Sequence, residues 1–169
     1  QSCQRQTHQF DLAIFGEATP IADVQLILIA YNFFRELQIN IEIQINTIGC
    51  PSCRKDYLEE LKDFFRSKNK KIKLCLDCKK NFGKNPLQVL ECEDPICRAS
   101  LEEAPPIVDF VCDECRAHFV KALEYLDEMG VVYNLNPLLI KGDEYANRTV
   151  FEIWSTSVEE DAKKEIILG

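Results

Sequence analysis

The run Ile39-Asn40-Ile41-Glu42-Ile43-Gln44-Ile45-Asn46 decides the fold. Four isoleucines alternate with four polar residues, a side-chain period of two. That period belongs to an extended strand; on a helix the same isoleucines would scatter around the circumference. β-branched side chains also suit a pleated surface. The run therefore predicts a strand with one buried and one polar face, closed by a turn over Thr47 to Ser52 that holds Gly49 and Pro51.

Working outward, Ile21 to Leu37 places Val24, Ile27, Leu28, Tyr31 and Phe34 at the spacing of an amphipathic helix, with Pro20 at its start. Gly16 to Pro20 is a turn, and before it Gln9 to Phe15 alternates again. Phe10, Leu12 and Ile14 take one side and Gln9, Asp11 and Ala13 the other, so a second strand is expected there. Past the first turn the character changes. Tyr57, Leu58, Leu61, Phe64 and Phe65 predict a helix, followed by a basic stretch from Lys68 to Lys73. Short cysteine-flanked pieces then run from Leu74 to Pro106, and a longer helix carries Val111, Cys115, Phe119, Ala122, Leu123 and Leu126 before Gly130. Strand patterns return at Val131 to Leu135 and Thr149 to Trp154. This order predicts an α+β fold, a mixed sheet with flanking helices interrupted by a helical, cysteine-rich insertion. The expected division is a core over 1–49, the insertion over 50–120 and the rest of the core over 121–169.

Composition bounds what the chain can be. With 169 residues, 46% of them hydrophobic, it can bury a real core. There is no run of apolar residues long enough to span a membrane and no basic-then-apolar leader, so a cytoplasmic location is expected. The chain opens without Met on polar residues leading into a strand, which reads as a start inside a domain. A net charge of -8 argues against a general nucleic-acid binder. The average hides an asymmetry, because between Arg54 and Lys84 eleven Lys or Arg face five Asp or Glu. A solvated helix face and a phosphate-contacting patch both fit such an excess.

Eight of the nine cysteines form four close pairs: Cys50/Cys53, Cys75/Cys78, Cys92/Cys97 and Cys112/Cys115. Without a secretion signal, metal ligation or buried free thiols fit better than disulfides. Two Cys-x-x-Cys pairs about twenty residues apart have the spacing of a structural four-cysteine zinc site, which nominates Cys50, Cys53, Cys75 and Cys78 as ligands. The other four would make a second site, although Cys92/Cys97 is looser and Cys112/Cys115 also suits core packing. His118 is the nearest alternative ligand, but a lone helix histidine is more often structural.

Four stretches together resemble the histidyl-tRNA synthetase family of class II aminoacyl-tRNA ligases. Arg5-Gln6-Thr7-His8-Gln9-Phe10, with Phe15-Gly16 and Ala22-Asp23, is similar to the second half of the family's motif 2. Asn46 to Pro51 and the cysteine-paired insert, with Asn85-Pro86-Leu87 and Arg116-Ala117-His118-Phe119, follow. Lys141-Gly142 through Asn147-Arg148-Thr149-Val150-Phe151-Glu152 resembles the histidine-specific segment R-G-L-D-Y-Y-x-R-T-V-F-E. The resemblance implies the class II antiparallel or mixed sheet, a homodimer, and a reaction in which histidine and ATP, with Mg2+, form an adenylate that esterifies tRNA(His). The basic insertion over 54–84 would lie near the acceptor stem. It also implies that the chain is an internal piece of the catalytic domain, ending before motif 3 and inactive alone.

Carried over by position, Lys141 is the catalytic candidate, in place of an arginine that steadies the α-phosphate and the substrate carboxylate. Arg5 is the candidate on the ATP side, and Gln9, Tyr145, Ala13 and Ala146 line the histidine side. Several of these depart from the pattern. Ala13 stands where the family has a glutamate and Ala146 where it has a tyrosine, both imidazole contacts. Lysine for arginine keeps the charge and loses the planar fork. Two lost partners, at about 1–3 kcal/mol each, would weaken discrimination for histidine by more than about a hundredfold at the upper end of that range. Taken as plain residues, a strand glutamine, a packed tyrosine and a surface lysine need no site at all. Two other functions therefore stay open: a non-catalytic paralogue, such as the synthetase-like regulatory subunit of ATP phosphoribosyltransferase, and a zinc-dependent RNA-binding module over 50–120.

Overall fold

A computed structural model describes residues 10–67, 73–140, 146–155 and 166–167. Helix α1 (Pro20–Glu36) leads into strand β1 (Ile41–Thr47). Then come α2 (Pro51–Ser67), three short helices α3 (Leu76–Asn81), α4 (Pro86–Leu90) and α5 (Pro95–Leu101), and a 3-10 turn over Ile107–Asp109. Helix α6 (Asp113–Glu128) returns the chain to strands β2 (Tyr133–Leu135), β3 (Thr149–Ser155) and β4 (Ile166–Ile167). The order across the sheet is β2-β1-β3-β4. β1 runs parallel to β2 and antiparallel to β3, and β3 is antiparallel to β4. The α+β reading, a small mixed sheet with flanking helices, therefore holds.

The isoleucine alternation becomes the packing code of the sheet. Ile43 and Ile45 of β1 and Ile153 of β3 are buried against Val24 and Ile27 of α1 and Phe119, Ala122 and Leu126 of α6. Leu28, Tyr31 and Phe34 complete the α1 stripe, as its spacing predicts. Gly130 ends α6 with φ +68°, a left-handed position that favours glycine. α6 runs unbroken through residue 120, so its first turn belongs to the insertion's chain and its later turns to the sheet.

The insertion has its own core. Tyr57, Leu61 and Phe65 of α2 meet Leu87 and Leu90 of α4, Leu101 of α5 and Ile107. This cluster continues to Ile48, Leu139, Ile140 and Val150, which ties it to the end of the sheet. α3, α4 and α5 are six, five and seven residues long, too short to hold helical structure without tertiary help.

Two strand expectations are corrected. Over residues 10–15, the described part of the alternating Gln9 to Phe15 run, the backbone is irregular, with Phe10 and Phe15 78% and 91% exposed. Alternation makes a strand only where an edge pairs with it, and no strand pairs with this segment among the described residues. Val131 and Val132 likewise precede β2, because the register with β1 begins at Tyr133 opposite Ile43.

Candidate functional site

Pairing of β1 with β3 gives the sheet a second face unlike the first. Ile43 opposes Ile153 and Ile45 opposes Phe151 on the helix side, which leaves Gln44 opposite Glu152 and Glu42 opposite Trp154 on the other. Glu152 is buried, only 8% exposed, and its carboxylate accepts a hydrogen bond from the Trp154 indole N–H at 3.2 Å. The Gln44 amide donates to the Glu42 carboxylate. Asn46, on the same face, donates to the Leu139 carbonyl at 3.0 Å and to the Pro137 carbonyl at 3.3 Å. It thereby fixes the chain just ahead of residue 141. Two carboxylates and an amide on a half-buried sheet face can orient a polar ligand with N–H donors.

Arg5, Gln9, Lys141 and Tyr145 lie outside the described residues. Ala13 is exposed in the irregular segment. Ala146 is half-buried beside the insertion's core, and its carbonyl accepts a hydrogen bond from the Arg54 guanidinium. Sequence reasoning recorded the polar residues of β1 but missed Glu152 and Trp154 as their partners, since alternation shows a face and not a register.

The cysteine pairing expected from spacing is also corrected. Cys50 and Cys53 converge with Cys112 and Cys115, and Cys75 and Cys78 with Cys92 and Cys97. Within each set the sulfurs lie within 4.8 Å of one another. The reason is topological. The two ends of the insertion leave and rejoin the sheet side by side, which brings the first pair to the last, while α3, α4 and α5 fold the middle pairs together. Cys50 and Cys53 open α2; Cys112 caps α6, and Cys115 lies in its first turn. Gly49 makes room for this, since a Cβ there would fall 2.6 Å from the Cys53 sulfur and 3.0 Å from Val111.

Thiol acidities diverge within each set. Hydrogen bonds from the Cys53 backbone and thiol hold Cys50 at about 6, and those from Cys78 hold Cys75 at about 7. Burial pushes Cys115 up to about 12, Cys97 up to about 11, and Cys78 upward as well. A cation shared by the sulfurs would reverse the upward shifts.

A polar pocket beside the first cysteine set was not anticipated. It has a volume of about 270 Å³ and is lined by Ala18, Asp23, His118, Asn147 and Arg148. His118 Nε2 lies 2.8 Å from Asp23 Oδ2 and its Nδ1 lies 3.2 Å from the Arg148 guanidinium, which also pairs with Glu114. The signal was a histidine on the apolar face of α6, but nothing in the spacing tells which carboxylate it meets.

No family model matches the chain. It is 40% identical over 153 residues to a histidine–tRNA ligase of Caldicellulosiruptor bescii, an alignment covering 90% of this chain and 36% of that protein. To the histidine–tRNA ligase of Clostridium botulinum strain Loch Maree it is 44% identical over 149 residues, with 88% and 35% covered. The crystal structure of apo S. aureus histidyl-tRNA synthetase superimposes with a TM-score of 0.68 at 25% identity, over 90% of this chain and 36% of that one. The chain is thus similar to histidyl-tRNA synthetases over about nine-tenths of its own length. It spans about a third of the length of the curated relatives it matches. Its sheet and flanking helices resemble those of the synthetase's catalytic domain.

Proposed function

We propose that the chain forms part of the catalytic domain of a histidine–tRNA ligase, activating histidine with ATP and passing it to tRNA(His). The observation that carries this reading is the β1–β3 register, which sets Glu152, from the segment similar to R-T-V-F-E, opposite Gln44 on a polar sheet face. Gln9 and Tyr145 would hold the imidazole, and Lys141 would steady the carboxylate and α-phosphate as attack on the phosphorus expels pyrophosphate. Charge stabilisation by such fixed groups is the main catalytic resource of a site of this kind. Glu42 and Glu152 offer the oxygen donors a hard cation needs, so Mg2+ fits this face; bound with ATP it would neutralise phosphate charge. The cysteine sets suit a soft metal instead, and zinc is the ion proposed for them. The exposed Lys79, Lys80 and Lys84 extend the insertion's basic surface toward the tRNA acceptor stem. Assembly as a homodimer and a cytoplasmic location complete the proposal; no helix among the described residues is long and apolar enough to cross a membrane.

One observation favours a second reading, a non-catalytic paralogue: alanine occupies both positions, Ala13 and Ala146, where the family resemblance implies imidazole contacts. Histidine-dependent ATP–pyrophosphate exchange on the protein carrying this chain separates the two. So does exchange by a chimera in which this chain replaces the matching third of the C. bescii relative. A chimera that melts cooperatively yet exchanges nothing with histidine would remove the ligase reading.

A further inference from the structure

The eight described cysteines form two separate four-sulfur sets, not one site and four bystanders. We propose that each set is a structural tetrathiolate zinc centre, two ions per chain. A tip centre at Cys75, Cys78, Cys92 and Cys97 would fold the insertion, and a root centre at Cys50, Cys53, Cys112 and Cys115 would fasten it to the sheet. The inference rests on the soft-metal reading of the cysteines and is independent of the ligase reading.

The geometry is that of a ligand shell. Tetrahedral zinc with sulfur at about 2.3 Å requires sulfurs roughly 3.8 Å apart. Cys50 and Cys53 stand at 3.5 Å, Cys75 and Cys92 at 4.0 Å, and all four sulfurs of each set lie within 4.8 Å. Backbone N–H groups already point at the sulfurs: Cys50 N to Cys53 Sγ at 3.1 Å, Cys75 N to Cys97 Sγ at 3.1 Å and Cys78 N to Cys75 Sγ at 3.4 Å. Such donors orient thiolates and offset their charge. Four thiolates around one zinc leave a doubly negative centre, and cationic residues adjoin both: Arg54 and Arg116 in sequence at the root, Lys79 and Lys80 at the tip. Thiols packed only as small apolar groups would have no reason to meet in two sets of four.

The two centres do different work because they join different elements. The tip links α3 to the α4–α5 region, whose helices are too short to persist alone. The root links the start of α2 to the start of α6 and reaches the sheet through two hydrogen bonds beside Gly49. Arg148 N–H donates to the Gly49 carbonyl at 2.9 Å, and Ile48 N–H to the Arg148 carbonyl at 2.7 Å. Glu114, between Cys112 and Cys115, pairs with the Arg148 side chain. The root centre therefore holds the loop that enters β3.

The test is zinc per chain, by elemental mass spectrometry on protein purified without chelator, with hydrogen exchange read residue by residue. The expected values are two zinc for the native chain, one for Cys50→Ser/Cys53→Ser, one for Cys75→Ser/Cys78→Ser and none for the four combined. The root variant is expected to lose protection at the Ile48 and Arg148 amides, and the tip variant to keep it. One zinc or none in the native chain, disulfides among these eight cysteines once the metal is chelated and the chain unfolded without reductant, or equal loss of protection in both variants overturns the proposal. If serine variants aggregate, Cys112→His in the cobalt(II)-loaded protein decides: one centre is expected to change from a four-sulfur to a three-sulfur, one-nitrogen spectrum while the other stays unchanged. An unaltered spectrum, or a change in both centres, counts against it.

Discussion

Gly49 and Arg148 meet backbone to backbone, the Arg148 N–H donating to the Gly49 carbonyl at 2.9 Å, and both residues hold φ +61°. For Gly49 the left-handed conformation carries no steric cost, and its missing Cβ leaves space for the Cys53 sulfur. Gly49→Ala meets both restrictions at once. Left-handed strain of about 1–2 kcal/mol adds to overpacking of about 1–3 kcal/mol. The variant is expected to lose roughly 2–5 kcal/mol in urea unfolding; a loss under about 1 kcal/mol would mean that the junction relaxes freely.

Tyr57 is buried in the insertion's core, its hydroxyl donating to the Pro105 carbonyl at 3.1 Å, and burial pushes its phenol well above the ordinary value. The folded protein keeps this proton when the unfolded chain, above about pH 10, releases it. With the folded value raised, the unfolded state binds fewer protons there, so stability falls as pH rises past about 10. Tyr57→Phe loses a hydrogen bond, about 0.5–1.5 kcal/mol at neutral pH, but escapes the alkaline term. The gap between native and variant is expected to narrow, then reverse, by up to about 1.4 kcal/mol per pH unit above pH 10. Parallel stability curves for the two proteins would refute this.

Much of the fold was legible because its sheet is built on plain alternation. Ile43, Ile45 and the α1 stripe at Val24, Ile27 and Leu28 fall where a period of two and a period of 3.6 put them. What sequence hid was partnership across distance. Spacing favoured Cys75/Cys78 as the mates of Cys50/Cys53, because nothing local records that the insertion begins and ends at the same corner of the sheet. The irregular backbone around Ala13 has the same cause in reverse, an alternating run without a pairing edge among the described residues. His118 joins Asp23 across 95 positions of sequence, beyond any local signal.

That Asp23–His118 contact is also measurable. At 2.8 Å it links α1 to α6 beside the sheet core, with the histidine side chain 6% exposed and the carboxylate 30% exposed. Truncating either partner leaves a largely buried polar group short of a bond. In a double-mutant cycle of Asp23→Ala and His118→Ala, a coupling of about 1–2 kcal/mol is expected from urea unfolding. Additive effects, within about 0.3 kcal/mol, would show that the pair contributes only packing.

The basic surface of the insertion predicts a salt signature. In α2 lysine and arginine are partly matched by neighbours, Lys62 with Glu59 and Arg66 with Asp63. Lys79, Lys80 and Lys84 at α3 are exposed. If these three contact tRNA phosphates, replacing all with Gln should weaken binding and lower the slope of log affinity against log salt by roughly 2–3. An unchanged slope would assign them to a solvated surface.

Ala13 permits the most direct trial of histidine recognition. The resemblance puts a glutamate at this position, and the exposed Ala13 side chain leaves room for one, whereas Ala146 is hemmed by the insertion's core. A carboxylate facing imidazole N–H would gain a charge-assisted hydrogen bond of about 1.5–3 kcal/mol. Ala13→Glu in the protein carrying this chain is therefore expected to lower KM for histidine in pyrophosphate exchange by about tenfold to a hundredfold. Its kcat should change little, because the contact is present before and after adenylate formation. Ala146→Tyr, by contrast, forces a ring against packed side chains and should cost about 1–3 kcal/mol of stability before any gain in binding. If Ala13→Glu leaves KM where it was, the imidazole does not lie beside residue 13, and the positional carry-over of the histidine side fails with it.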